Sequence, residues 1–172
     1  SEFRRIIFRC EPQFDLAITG LHKPEGVHIL PDGNSWIYVA DRNNKRIAYF
    51  DYWGNFVGEI TGLHHPNAVR FNGEIIYTTL WWGHTHLTVL GFDLSGNEVY
   101  SATGLNHPKG INFYGDYIVV AERNWDRLTF LDDSANIVFT IPAHKCEGVG
   151  VDSPYIFTCL VCSGKVVKYY VN

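Results

Sequence analysis

A block of 42 residues recurs along the chain and limits the folds that the chain can adopt. Thr19-Gly20-Leu21 returns as Thr61-Gly62-Leu63 and again as Thr103-Gly104-Leu105, each time 42 residues later. A proline follows each copy at the same distance, and a shorter fourth copy begins near Ala143. A repeat of this length indicates a fold of similar supersecondary units, in which neighbouring units bury each other's apolar faces.

Each unit contains short runs of β-branched and aromatic residues, separated by turns rich in Gly, Asn, Asp and Pro, which predicts strands. In the first unit the predicted strands are Gly26–Ile29, Trp36–Ala40, Arg46–Phe50 and Phe56–Ile60. No segment shows the 3.6-residue apolar period of a helix. Four strands in about 42 residues is the size of one propeller blade. The sequence therefore predicts an all-β propeller of about four four-stranded antiparallel blades.

The turn after the second strand carries the clearest motif. Residues 39–47 read VADRNNKRI and residues 120–128 read VAERNWDRL, and both follow a Pro-x-Gly segment at the first strand. These segments resemble the hallmark of NHL repeats, and the resemblance covers nearly the whole chain. Units two and four depart from it, with Leu80 and Leu160 at the acidic position. The resemblance implies a propeller with a binding role and no particular ligand.

The two ends of the chain are predicted to share one blade. Phe14–Ile18 aligns with the fourth strand Phe56–Ile60, while the last unit supplies three strands that end with Lys165–Val171. A strand from the N-terminus would then close the ring, which gives a propeller domain over residues 14–172 after an extension over residues 1–13. Two alternatives stay open: the chain is part of a larger ring, or two chains share one ring.

A further strand-like segment, Arg4–Arg9, has no place in that ring. We expect it either to fray or to pair with a neighbouring molecule, because an unpaired strand is a template for another sheet edge. Head-to-tail donation of this kind would build a filament. The residues predicted to make this interaction are Arg4, Arg5, Ile6, Ile7 and Phe8.

The residue after the proline of each unit, or its equivalent, is predicted to lie at the mouth of the central channel. These residues are Glu25, Asn67, Lys109 and Glu147. Glu25, Asn67 and Glu147 supply the oxygen ligands that a divalent cation prefers, in an arrangement similar to the metal ring of gluconolactonase-type propellers. Lys109 would repel a metal, and a plug of ion pairs from Lys109 to the two glutamates is the favoured interpretation.

Two other sets of side chains are candidates for binding. Trp81, Trp82 and Trp125 follow the second strands of units two and three, where exposed tryptophans anchor partners or pack between blades. Histidines recur just before the first strands, and amidating lyases, which share this repeat type, hold zinc with histidines near the channel. The recurring histidines are His22, His64, His65, His107 and His144.

Composition and missing motifs favour a binding or structural protein over an enzyme. The net charge of −4 disfavours nucleic acid, and no apolar run is long enough to span a membrane. The sequence contains no nucleophile elbow, phosphate loop or HExxH motif. Asp41 and Glu122 are expected to accept hydrogen bonds in their turns and to pair with Arg46 and Arg127. A metal-dependent hydrolase or lyase at the channel mouth, and a fragment of a larger NHL protein, remain as alternatives.

The cysteines and the first residues bear on where the protein works. The chain starts with Ser-Glu-Phe and contains no Met, which indicates either a processed protein, for which we expect export, or a piece cut from a longer protein. An even number of cysteines is compatible with disulfides in an exported protein. The candidates are Cys10, Cys146, Cys159 and Cys162, of which the last three are predicted to lie near one another.

Overall fold

The computed structural model describes residues 16–29, 36–82 and 86–171. Fifteen antiparallel strands form four sheets in this part of the chain. The first sheet contains β1 (Pro24–Ile29), β2 (Ile37–Asp41), β3 (Arg46–Phe50) and β4 (Phe56–Ile60). The second contains β5 (Pro66–Phe71), β6 (Ile76–Trp82), β7 (His86–Phe92) and β8 (Glu98–Ala102). The third contains β9 (Pro108–Tyr114), β10 (Tyr117–Glu122), β11 (Arg127–Leu131) and β12 (Ile137–Pro142). The fourth contains β13 (Cys146–Asp152), β14 (Tyr155–Leu160) and β15 (Lys165–Tyr170).

Each sheet is one blade, with its strands paired in chain order from the channel outwards. The predicted all-β propeller of four antiparallel blades is confirmed. Helical structure in the described residues is confined to two 3₁₀ turns, Arg42–Asn44 and Val161–Ser163. Neither is long and apolar enough to cross a membrane.

The core lies between successive blades rather than at the centre of the ring. One apolar cluster joins blades one and two around Tyr38 and Val69, and a second joins blades two and three around Tyr77 and Ile111. A third joins blades three and four around Phe130. Along β10, for example, Ile118 and Val120 join one cluster while Val119 and Ala121 join the other, and this alternation fixes the register of the strand.

The start of every blade has the same backbone conformation. The residue directly before each first strand has a positive φ, between 50° and 56°. This left-handed residue turns the chain sharply, so that the next side chains enter at the channel mouth. The four residues are Lys23, His65, His107 and Lys145.

The N-terminal predictions are tested only in part. Residues 14 and 15 lie outside the described residues, as do residues 1–13 with the predicted donor strand Arg4–Arg9 and Cys10. Leu16, Ala17 and Ile18 are described and belong to no strand, so the fourth sheet has three strands in the described part of the chain. The strand predicted over Phe14–Ile18 is therefore corrected at its last three residues. Ile18 packs instead on the first blade, against Val39, Ala48 and Phe50.

Candidate functional site

The four residues predicted at the channel mouth line one cavity. Its volume is about 460 Å³, and the first strands of all four blades contribute to its wall. The structure thus brings Glu25, Asn67, Lys109 and Glu147 together. Arg70, from β5, also lines the cavity. The sequence analysis did not single out Arg70, although the repeat places it in a predicted first strand.

The carboxylate of Glu25 is already bound by its neighbours. Arg42, from the turn after β2, forms an ion pair with Glu25, and the side-chain amide of Asn67 donates a hydrogen bond to it. Burial alone would raise the pKa of Glu25, but these two hydrogen bonds outweigh burial and hold the pKa below its usual value. Glu25 is therefore an ionised, engaged group rather than a free ligand.

Glu147 is paired in the same way from the opposite side of the mouth. Arg123, which occupies in blade three the place of Arg42 in blade one, lies 2.8 Å from the carboxylate of Glu147. Both side chains are about one-third exposed, so the pair is partly screened by solvent. Each glutamate at the mouth thus has its own arginine.

Lys109 has no carboxylate at ion-pair distance among the described residues. The plug of direct ion pairs from Lys109 to Glu25 and Glu147 is therefore wrong, because the two arginines already occupy the carboxylates. The ammonium instead lies over the ring of Trp81, 4.1 Å from the ring centroid. Burial lowers the pKa of Lys109, as do the charges of Arg42 and Arg123, and the glutamates only partly oppose this.

Trp81 links three blades at the mouth. Its ring also lies 4.6 Å from the guanidinium of Arg42 and 4.5 Å from the ring of His107. Cation–π contacts of this kind hold cationic side chains in place without neutralising them. Trp125 is separate from this group, 47% exposed and covered by Arg127 at 4.4 Å. The side chain of Trp82 lies outside the described part of the chain.

A second unpaired cation lies deeper along the channel wall. The guanidinium of Arg70 donates a hydrogen bond to the carbonyl oxygen of Val69, at 2.9 Å, and none of the described carboxylates is within ion-pair distance. Burial lowers the pKa of Arg70. Its charge in turn helps burial to lower the pKa of the neighbouring His28. The channel therefore carries more positive than negative charge that is not already paired.

The histidines before the first strands make local contacts. His22 hydrogen-bonds Asn43, His107 lies 2.8 Å from the side-chain amide of Asn124, and His144 lies 3.0 Å from the carboxylate of Asp126. Across residues 16–29, 36–82 and 86–171, no three His, Cys, Asp or Glu side chains form a group that could hold a metal. This finding applies to a zinc site at the histidines, whereas the metal site at Glu25, Asn67 and Glu147 includes an amide ligand and stays a prediction.

Cys146, Cys159 and Cys162 are free thiols in the fourth blade. Cys146 is buried and donates its S–H to the carbonyl oxygen of Arg127, at 3.1 Å. Burial raises the pKa of Cys146 to about 11, so it is a poor nucleophile at neutral pH. Cys159 and Cys162 are exposed.

The comparisons with known proteins show a similar fold and no sequence match. No protein-family model and no curated protein matches the sequence. Among solved structures, the computationally designed Ika4 protein is similar with a TM-score of 0.70 and 12% identity, over 92% of this chain and 100% of that one. A streptogramin B lyase is similar with a TM-score of 0.67 and 15% identity, over 86% of this chain and 54% of that one.

A putative 6-phosphogluconolactonase from Bacteroides uniformis is similar with a TM-score of 0.70 and 16% identity, over 91% of this chain and 56% of that one. The chain thus spans the whole of one designed protein and about half the length of the two natural ones. At these identities the similarity shows a β-propeller fold alone.

Proposed function

We propose that this chain is a non-enzymatic binding module whose site is the channel mouth, and that its ligand is a small organic anion. The observation that carries the proposal is the unequal pairing of charge there. Glu25 and Glu147 are each bound by an arginine, whereas Lys109 is half-buried with no described carboxylate within ion-pair distance. A half-buried cation without a counter-ion is costly, and an anionic ligand would remove that cost.

A second cation on the cavity wall supports the same class of ligand. Arg70 lines the cavity, and none of the described carboxylates is within ion-pair distance of its guanidinium. A carboxylate offers only acceptors, and each of its oxygens can take more than one hydrogen bond. The 460 Å³ cavity is within the size range of small-molecule sites.

The resemblance to NHL repeats supports a binding role, and we keep export as the setting of this proposal. A metal-dependent hydrolase or lyase at the same mouth is the competing function, since two of the similar structures are named as a lyase and a putative lactonase. The two functions require opposite charge at the ligand: an anion beside Lys109, or a cation beside Glu25 and Glu147. Self-assembly into filaments through Arg4–Arg9 remains a separate prediction, since those residues lie outside the described part.

Calorimetric titration with citrate, a small polycarboxylate probe, tests the proposal. We expect citrate to bind the unmodified protein and Lys109→Gln to weaken binding about 10- to 100-fold, because a hydrogen bond to a charged group contributes roughly 1.5–3 kcal/mol. Binding should also weaken as the pH rises through the lowered pKa of Lys109. Lys168→Gln is the matched control, since Lys168 also lies over an aromatic ring, that of Tyr155, but does not line the cavity.

Two results would contradict the proposal. One is that citrate does not bind, or binds Lys109→Gln as tightly as the unmodified protein. The other is stoichiometric binding of Ca²⁺ or Zn²⁺ that Glu147→Gln abolishes, which would favour the metal-dependent enzyme.

A further inference from the structure

Three interfaces join the four blades, and a fourth interface, between blades four and one, is not formed among the described residues. The first strands β1 and β5, β5 and β9, and β9 and β13 pack against each other, whereas β13 and β1 make almost no contact. The burial of β1 differs accordingly: its residues are exposed or partly exposed along the whole strand, while β5, β9 and β13 each bury residues. The described residues of the four blades therefore form an open arc.

The three formed interfaces show what is missing at the fourth. In each, an apolar residue of a first strand shares a cluster with an apolar residue of the preceding blade's third strand. The three pairs are Val69 with Ile47, Ile111 with Val89, and Val149 with Leu128. All six residues are at most 7% exposed. Val27 and Val166 occupy the two corresponding positions at the open interface, and they are 59% and 68% exposed.

A glycine marks the same open interface. A Cβ built on Gly26 would lie 2.7 Å from the carbonyl oxygen of Asn67 in the next blade, so the close approach of two first strands requires glycine there. Gly110 meets the backbone of blade four in the same way. Gly148 holds this position in blade four, but the nearest atom to its Cβ is the sulfur of Cys159, within its own blade. No described residue of another blade occupies the space beside Gly148.

The segment before β1 also lies where the outer strand of a preceding blade would end. Ile18 and Leu21 pack on the open side of blade one, as Ile60 and Leu63 pack on blade two. Ile60 ends β4, the outer strand of the blade that precedes blade two. The segment thus ends as an outer strand of a preceding blade would end, while the fourth sheet of the same chain has three described strands.

We propose that a second copy of this chain forms the missing interface, with blade four of each copy packed on blade one of the other. Both halves of the interface are present on every chain, so two copies related by a twofold axis satisfy both ends at once. The arc superposes on 54% and 56% of two longer propeller chains, so a propeller of about twice this length contains an arc of this kind as one part of its ring. The result is one ring of eight blades, and the channel wall is completed by the partner's first strands.

Sedimentation velocity of the full chain across a range of concentrations tests this proposal. We expect a particle of twice the 19.6 kDa chain mass, and a dissociation constant at least 100-fold weaker for Val27→Asp, which puts a charge into the interface. Val99→Asp is the matched control. Val99 is a valine of similar exposure, 53%, on the outer strand β8 away from the interface, so that variant should remain dimeric. Circular dichroism of each variant reports whether it is folded.

Mixing two variants gives a second readout that a folding defect does not imitate. Val27→Asp and Val166→Lys should each be monomeric alone, because both of their interfaces carry an isolated charge. Mixed together, they should form a heterodimer with one unchanged interface and one Asp–Lys pair. The proposal is overturned by a monomeric unmodified chain at 100 µM (roughly a hundred times a micromolar dissociation constant), by dimers that survive both substitutions, or by open-ended polymers in place of a dimer.

Discussion

At the scale of single residues, Asp41 and Glu122 explain why an acidic residue stands at the end of the second strand. Both are fully buried. Asp41 accepts a hydrogen bond from the backbone N–H of His22 at 2.7 Å and pairs with Arg46 at 2.8 Å. Each acid therefore ties the loop before the blade to the third strand. The predicted pairing of these acids with Arg46 and Arg127 is confirmed, which leaves neither free for catalysis.

We expect Glu122→Gln to lower the free energy of unfolding by roughly 1.5–3 kcal/mol, the usual contribution of hydrogen bonds to a buried charged group. The carboxylate of Glu122 lies 2.7 Å from the guanidinium of Arg127 and accepts a hydrogen bond from the hydroxyl of Thr129. In the variant, the side-chain amide replaces one of these acceptor oxygens with a donor. Urea denaturation measures the change. Glu98→Gln, at an exposed position, should stay within about 0.5 kcal/mol of the unmodified protein. Equal stability of the two variants would refute the role assigned to Glu122.

At the same scale, the sequence identified the residues at the channel mouth but not their partners. The repeat alone places Glu25, Lys109 and Glu147 at equivalent positions, so their convergence could be predicted. Which cation pairs with which carboxylate depends on how far each side chain extends at the channel mouth. The 42-residue spacing of the repeat does not give this information. Arg42 was read as a turn residue and Trp81 as an anchor for a partner or for packing between blades, although both decide the charge balance of the site.

At the scale of elements, one type of turn joins the third and fourth strands of the first three blades. An aspartate accepts hydrogen bonds from both the backbone and the side-chain amide of an asparagine four residues later. The three pairs are Asp51 with Asn55, Asp93 with Asn97, and Asp132 with Asn136. The asparagine side chain is the largest cause of a lowered pKa in each aspartate.

These turns should make stability depend on acid. A carboxyl whose folded pKa is below its unfolded value of 3.8 stabilises the fold above pH 3.8, and this contribution is lost as the pH falls through the folded pKa. We therefore expect the triple variant Asp51→Asn, Asp93→Asn and Asp132→Asn to be less stable than the unmodified protein at pH 6 and to approach it near pH 2. Urea denaturation at several pH values measures this, with exposed Asp116→Asn as the control. Parallel pH profiles for the triple variant and the unmodified protein would show that the turns contribute nothing.

Strand positions were predictable because β-branched runs, turn residues and the repeat all indicate the same boundaries. Arg46–Phe50 and Phe56–Ile60 were predicted as they stand in β3 and β4. The left-handed residue before each first strand was not predicted. Lysine, at two of the four positions, does not signal a positive φ, and histidine, at the other two, is enriched in that region but adopts it uncommonly.

At the scale of the whole molecule, blade number and ring closure are separate properties. Four blades follow from four copies of the repeat. Whether they close depends on the angle between neighbouring blades, which is set by packing such as that of Val69 on Ile47 rather than by any local motif. The sequence therefore predicted the blades, and it left open the alternative of two chains sharing one ring.

If two copies share a ring, the thermal midpoint of unfolding should rise with protein concentration, because dissociation and unfolding are then coupled by mass action. Each tenfold increase in concentration adds about 1.4 kcal/mol per mole of dimer, which for a particle of this size corresponds to a shift on the order of 2 °C. Differential scanning calorimetry between 5 and 500 µM (roughly 0.1 to 10 mg/ml, a span chosen around micromolar affinity) measures the slope. Val27→Asp should give a flat line at a lower midpoint, since its blades lose the burial of Val27 against the partner's Val166. Val99→Asp should keep the slope. A flat line for the unmodified protein would mean that blades one and four remain open to solvent, and that a propeller arc of this length is stable on three interfaces alone.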